Sequence, residues 1–281
     1  MTTATVSRSQ RWKVLRRSAT FWVGLGITAM WVFFAIFGEF VTPYDPLGTP
    51  ADVLNRLDPP SAEHWFGTDE LGRDVLSRVI AGARSVLTVA LAATVLGTVL
   101  GTAVGLIVGY FGGLVDDIVG RILDAFLSIP LVITGMLALA ALGPNTFGVI
   151  VVIGLVFTPL IAKTVRAAVL SERQLDYVTA AQLRRENSFY ILFVEILPNV
   201  TSVIIVEFTV RLGYAIFTVL ALAFLGFGIE PSVPDWGLAI SQHYAYLTGD
   251  VWWPVLFPAL AIASLVIGVN LLADGISQAA E

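Results

Sequence analysis

Six stretches of this 281-residue chain are apolar over lengths that cross, or nearly cross, a bilayer, and this succession limits the fold more than any other feature. They lie at about residues 21–41, 87–110, 122–142, 147–162, 200–224 and 252–272, the fourth being the shortest. Charged residues make up 13% of the chain and hydrophobic ones 57%, against roughly 25% charged in soluble domains. One soluble core could not bury that much apolar surface, so the expectation is an all-α polytopic membrane protein with six transmembrane helices. The first apolar run, which follows Arg8, Arg11, Lys13, Arg16 and Arg17, is too long for a signal-peptide core. No small-x-small cleavage site follows it, so it reads as an uncleaved first span.

Basic residues orient the chain. With six spans, the N-terminal cluster and the group Lys163, Arg166, Arg173, Arg184 and Arg185 share one side, expected to be cytoplasmic together with both termini. The segment 42–84 then lies outside, and Trp252 and Trp253 at one interface and Trp12 and Trp22 at the other read as anchors. Gly97, Gly101, Gly105 and Gly109 put a glycine on one face of the second span at every fourth residue, which lets another backbone approach closely. Pro130, Pro159, Pro254 and Pro258 predict kinks or softened turns.

Several functions are excluded or disfavoured. The net charge of −5 argues against nucleic acid as a partner. There is no cysteine, and His64 and His243 lie far apart, so neither a disulfide nor a His/Cys metal centre has material to form. The only lysines, Lys13 and Lys163, are not in a glycine-rich setting, and no phosphate-binding loop or G-x-S-x-G elbow occurs. The chain is expected to bind no cofactor and to hydrolyse nothing itself.

Charges occur inside the apolar runs. Glu207 and Arg211 lie four apart in the fifth span, acid first, the favourable order for a helical ion pair. At bilayer depth they need pairing or a wet cavity, as a structural lock or as part of a polar pathway. Arg121 and Asp124, three apart, read as an interfacial pair.

Two polar stretches stand out. In "EHWFGTDELGRDVLSRVIAGARSVL", Gly67 and Gly72 punctuate a loop, and Thr68 or Asp69 can cap a helix start. Val75, Leu76, Val79, Ile80 and Ala83 then share a face, as in a helix lying on the outer membrane surface, with Asp74 and Arg78 spaced to pair. This segment suits a docking platform for a soluble external partner, or a cap that seals the bundle. In "DYVTAAQLRRENSFYILFVEILPN", residues 176–199, Tyr177, Ala180, Ala181 and Arg184 recur at helical spacing, and Arg185 follows. Small residues between anchors suit seating in a groove.

The second stretch resembles the EAA loop of binding-protein-dependent ABC transporter permeases. "HWFGTDELGRDVLSRVIAGARSVL", "GYFGGLVDDIVGRILDAFLSIP" and the run from "LAFLGFGIEPSVPDWG" to "NLLADGISQ" resemble the C-type permease of dipeptide, oligopeptide and nickel importers. The likeness covers nearly the whole chain. It implies a type I ABC importer permease fold, with residues 1–84 as the N-terminal segment, first span and external loop. Residues 85–281 would be the permease core, with the coupling loop at about 171–199.

The resemblance also implies residence in a bacterial inner membrane and a set of partners. These are a second permease in a heterodimer, two ABC ATPases holding ATP and Mg, and an external solute-binding protein that would meet Phe66, Gly67, Thr68, Asp69, Gly72, Arg73 and Asp74. The ATPase would meet Tyr177, Ala180, Ala181, Arg184 and Arg185.

Departures are local. Thr179 stands where the family has the EAA glutamate, Arg185 where it has glycine, Glu195 where a base is common, and Val219 where a glutamate precedes "LSFLGLG". Asn187 is the best local substitute for the glycine's turn conformation. The alternative is an autonomous ion-coupled secondary transporter or channel. It would need its own coupling carboxylate, for which Glu207 is the candidate, and internal repeats, which the sequence does not display.

Overall fold

The computed structural model describes residues 18–47, 55–143, 145–227 and 233–280. The basic cluster Arg8–Arg17, Trp12 and Pro50 lie outside the described residues. Among the described residues the fold is helical, and the one extended pairing is an isolated bridge between Thr68 and Asp74. Among the described residues, five helices are long and apolar enough to cross a membrane. These are α1 (Ala19–Val41), α2 (Val75–Phe111), α5 (Thr146–Glu172), α7 (Ser188–Phe224) and α9 (Trp253–Ala280).

The expected third span is broken. Helices α3 (Gly113–Leu127) and α4 (Leu131–Leu142) meet at an 84° bend across Ser128, Ile129 and Pro130. Pro130 has no N–H to extend the α3 ladder and its fixed φ of −55° starts α4. At 12 residues α4 rises only about 18 Å, so the pair is a sixth crossing only if both helices contribute. By contrast Pro159 and Pro258 sit inside continuous helices.

The second span starts earlier than expected. Residues 75–86 form no separate surface helix, and the division at residue 84 falls inside one 37-residue element. Its start is capped by Asp74, not Thr68 or Asp69: Asp74 Oδ2 accepts from Ser77 N at 2.8 Å. The apolar face Val75–Val79–Ala83–Val86 is buried and runs on into the face that packs in the bundle, so nothing separates the two parts.

Helices α2 and α5 form the centre of the bundle through the glycine stripe. A Cβ on Gly101 would stand 2.7 Å from Ile161 Cβ, and Gly97, Gly105 and Gly109 meet Gly154, Val165 and Val169 as closely. The small-residue face thus lets two backbones approach at the cost of no side-chain packing. Around it Ile153, Phe157, Val165, Ile216, Leu222 and Leu265 close the core. α1 lies along α9, with Gly24 and Gly268 at the contact.

Helix α3 is attached to α5 by charges. Arg166 Nη2 donates to Asp116 Oδ2 at 2.6 Å, and Lys163 pairs with Asp124. The expected Arg121–Asp124 pair is therefore not made, because α5 brings Lys163 to that carboxylate. The opposite side of α3, with Leu114, Ile118, Ile122 and Phe126, is exposed and apolar.

Candidate functional site

At one end of the bundle, α5 and α7 are joined by a short helical finger. Its first arm is α6 (Asp176–Leu183), and its second is the opening of α7, where residues Ile191–Ile196 take the wider π-helical form. Pro198 cannot donate to the carbonyl four residues back, which helps the ladder open there. The i→i+5 spacing puts Ile191 and Ile196 on the same side, and both are buried along with Val178 and Ala181 of α6.

The turn between the arms corrects the sequence reading. Asn187, with φ −71°, does not make it. Arg185 itself takes φ +59°, its N–H donating to Gln182 O at 2.9 Å while Glu186 N donates to Ala181 O at 3.2 Å. This is the paired closure usually made by glycine after a helix. Asn187 is committed elsewhere, its Oδ1 capping the second arm at Tyr190 N, 2.7 Å away.

The expected docking face also divides. Ala181 is 0% exposed and holds the two arms together, so it is not available to a partner. Tyr177 is half-buried and donates to Glu172 Oε2 at 2.6 Å, and burial, then that bond, pushes its hydroxyl pKa well above the ordinary range. Ala180, Arg184 and Arg185 do face out, and with them Thr179 and Leu183, which is 81% exposed. Leu183 was missed because it lies off the stripe defined by Tyr177, Ala181 and Arg184. Its signal is an apolar residue on the face left to solvent. Beside the finger, exposed Phe189 and Phe193 stack with centroids 5.9 Å apart.

At the other end, the loop before α2 is an internal lock. Thr68 Oγ1 donates to Asn55 O at 2.5 Å and accepts from Asp58 N at 2.9 Å, while Thr68 O accepts from Trp253 Nε1 at 2.9 Å. Gly67 has φ +72°, and a Cβ there would stand 2.6 Å from both Asp58 O and Trp253. Asp69 accepts from Leu71 N, Arg73 N and Arg73 Nε at 2.8, 2.9 and 2.7 Å.

Arg78 therefore turns to Asp69, 3.6 Å away, instead of Asp74, whose second oxygen lies 3.0 Å from His64 Nδ1. Phe66 stacks on Phe257 at 3.8 Å and Gly72 makes a tight turn at φ +75°. Gly67, Thr68, Asp69 and Asp74 are thus buried and mutually satisfied, and cannot present themselves to a docking protein. Trp65, 69% exposed, and Leu71 are what the loop offers outward. Trp253 is drawn into the lock and is not an interface anchor, while Trp252 stays exposed.

Within the bundle Arg211 Nε and Nη2 lie 2.7 and 2.6 Å from Glu207 Oε1, so the pair is made. Arg211 also lies over the Tyr214 ring, 5.6 Å from its centroid. Among the described residues no group of three or more His, Asp or Glu side chains could hold a metal.

Comparison with known proteins agrees with this architecture. Residues 97–281 match the model of the binding-protein-dependent transport system inner membrane component. Residues 8–60 match the N-terminal transmembrane domain of oligopeptide transport permease C. The chain is 39% identical over 276 residues to a dipeptide transport system permease protein of Escherichia coli strain K12, covering 96% of this chain and 91% of that one. It is 36% identical over 264 residues to a di/tripeptide transport system permease protein of Pseudomonas aeruginosa, covering 92% and 86%. With a helical bundle of five to six membrane crossings and these matches over nearly its full length, the chain belongs to the family of binding-protein-dependent transport system inner membrane components.

Proposed function

We propose that this chain is one half of the heterodimeric pore of an ATP-driven peptide importer, and that it is worked from the cytoplasm through its finger. The observation that carries this reading is the exposed Thr179–Ala180–Leu183 surface on an arm whose other side is packed rigidly to the spans. An exposed leucine on a braced helix suits insertion into a groove of a soluble protein. Two ATPase subunits holding ATP and Mg would supply that groove, and nucleotide binding would favour one bundle state through contacts made in that state alone. Di- or oligopeptides are the cargo that the relatives' names support.

The finger end faces the cytoplasm of a bacterial cell and holds both termini there, because Lys163, Arg166, Arg173, Arg184 and Arg185 gather at that end. An external solute-binding protein would then meet the opposite end at Trp65 and Leu71. Glu207 and Arg211 sit about 15–21 Å along α7 from Leu197, where a charge facing lipid costs at least about 2.5–3.5 kcal/mol. Here the two pair with each other and are largely buried, which serves either a structural lock or a polar pathway shared with the second permease.

The test uses the chain's lack of cysteine. Single cysteines at Ala180 and Leu183 in the assembled transporter should crosslink to an ATPase subunit and release on nucleotide-driven change. Crosslinks from neither position in intact cells, with the complex assembled, would overturn the docking model.

A further inference from the structure

At the end of the bundle opposite the finger, α1 and α2 leave a cleft of about 750 Å³ between them. The two helices touch at its wall, where Gly38 lets α1 come close: a Cβ there would stand 3.3 Å from Ile80 Cγ2. Arg84 of α2 pairs with Glu39 of α1, and both side chains line the cleft. Tyr44 and Asp45 of the loop after α1 form a further wall, as do Val233 and Pro234 just before α8 (Trp236–His243).

This cleft lies at the edge of the hydrocarbon. Residues 19–38 carry no charge, and as helix they rise about 30 Å, the thickness of a bilayer's apolar core. Glu39 is the first charge beyond them, which sets it and its partner Arg84 at the level of the headgroups. Phe34 and Val89 also line the cleft. Each is five residues from the ion pair on its own helix, and so stands about 7.5 Å deeper in the membrane. Both walls thus pass from charge to hydrocarbon in the direction a lipid does. Ser85 and Thr88 supply hydroxyls between these levels, and Ile36, 61% exposed, joins the cleft to the surface that lipid covers.

We propose that the cleft holds the headgroup of one phospholipid that carries both a phosphate and a primary ammonium. The side chains of Arg84 and Glu39 are 61% and 68% exposed, so their pair keeps donors and an acceptor on its open side. A zwitterion complements both, with its ammonium on the Glu39 carboxylate and its phosphate on the guanidinium. Asp45 adds a second carboxylate to the wall, so an anionic headgroup would meet two negative charges and one positive. A primary ammonium has three N–H donors to offer these carboxylates, and a quaternary one has none. A soluble cargo in transit fits less well. Phe34 and Val89 give it no polar contact, and α7, which carries Glu207 and Arg211, contributes nothing to the cleft among the described residues. The proposal needs only that the chain spans a membrane, and stands apart from the identity of the cargo.

Native mass spectrometry of the chain in its purified assembly, titrated with phosphatidylethanolamine or phosphatidylglycerol, tests this. The parent should bind one more phosphatidylethanolamine than Ser85→Trp, whose indole fills the cleft, and the two should bind phosphatidylglycerol alike. Glu39→Gln changes only an exposed side chain, and it should raise the phosphatidylethanolamine needed for half occupancy about tenfold, the loss of one charge-assisted contact. Equal binding of the two lipids at this site, or phosphatidylethanolamine binding that neither variant alters, would overturn the proposal. So would a density map of the assembly in which a peptide or a side chain of a neighbouring subunit fills the cleft.

Discussion

Arg184 Nη2 lies 3.2 Å from Glu195 Oε1, so the end of the first arm of the finger is clasped to the π-helical stretch eleven residues on. Glu195, one of the departures noted in the sequence, is thereby engaged within the finger itself. Both side chains are partly exposed, which limits the pair to about 0.2–1 kcal/mol. Glu195→Lys should raise hydrogen exchange across residues 176–196 a few-fold, and adding Arg184→Glu should return it toward the parent. Exchange that ignores both changes would show that the clasp contributes nothing.

Leu183 and Ala181 separate docking from folding. Leu183→Asp alters only an exposed side chain and should uncouple ATP hydrolysis from uptake with the unfolding midpoint unchanged. Ala181→Trp overfills the buried contact between the arms, at a cost of about 1–3 kcal/mol, and should lower the midpoint before coupling is even measured. If both variants behave alike, the exposed face is not the coupling surface.

Arg185 holds φ +59° in a position where a side chain is strained. Arg185→Gly relieves about 1–2 kcal/mol of left-handed strain, less the entropy glycine adds to the unfolded chain. The expected net gain is about 0.5–1 kcal/mol, seen as slower proteolysis of the finger. Faster cleavage than in the parent would contradict the turn geometry.

The glycine stripe gives an internally controlled comparison. Gly101→Ala places a Cβ 2.7 Å from Ile161 Cβ and should cost about 1–3 kcal/mol or abolish membrane accumulation. Gly120→Ala in α3 meets nothing within 4 Å and should be neutral or stabilising by up to about 1 kcal/mol. Detergent-solubilised yield and thermal midpoint report both.

Burial raises the Asp235 carboxyl to about 6 from an ordinary 3.8, against the opposing pull of the Leu238 and Gly237 N–H groups and Arg78. The folded state then binds more protons than the unfolded state between these values. Its contribution to stability is full below about pH 4 and lost as pH rises to about 6, on the order of 3 kcal/mol. Asp235→Asn keeps a capping oxygen and should flatten the midpoint-versus-pH curve across that window. A slope that persists in the variant would place the titrating group elsewhere.

The sequence displayed what repeats locally. Apolar runs marked the crossings, the four-residue glycine period marked the α2–α5 contact, and the acid-first spacing marked the Glu207–Arg211 pair. Partner choice across distant segments was not legible. Spacing favoured Asp74, four residues before Arg78, and only the folded loop, with His64 and Ser77 already on Asp74, turns Arg78 to Asp69. Trp253 looked like an interface anchor until Thr68 O was brought beneath its indole. The 84° elbow had its signal in Pro130, but a proline predicts a disturbance and not its angle, as Pro159 and Pro258 demonstrate from inside unbroken helices.

Helix α2 has no proline along its 37 residues and is therefore a stiff rod of about 55 Å, nearly twice the hydrocarbon thickness. Pivoting such a rod by roughly 5° about its middle swings its tips about 2.4 Å in opposite directions. One tip is bolted to the Thr68–Trp253 lock and the other to the Gly112–Gly113 elbow that starts α3. A small tilt of this rod would therefore displace both ends together, on opposite sides of the membrane.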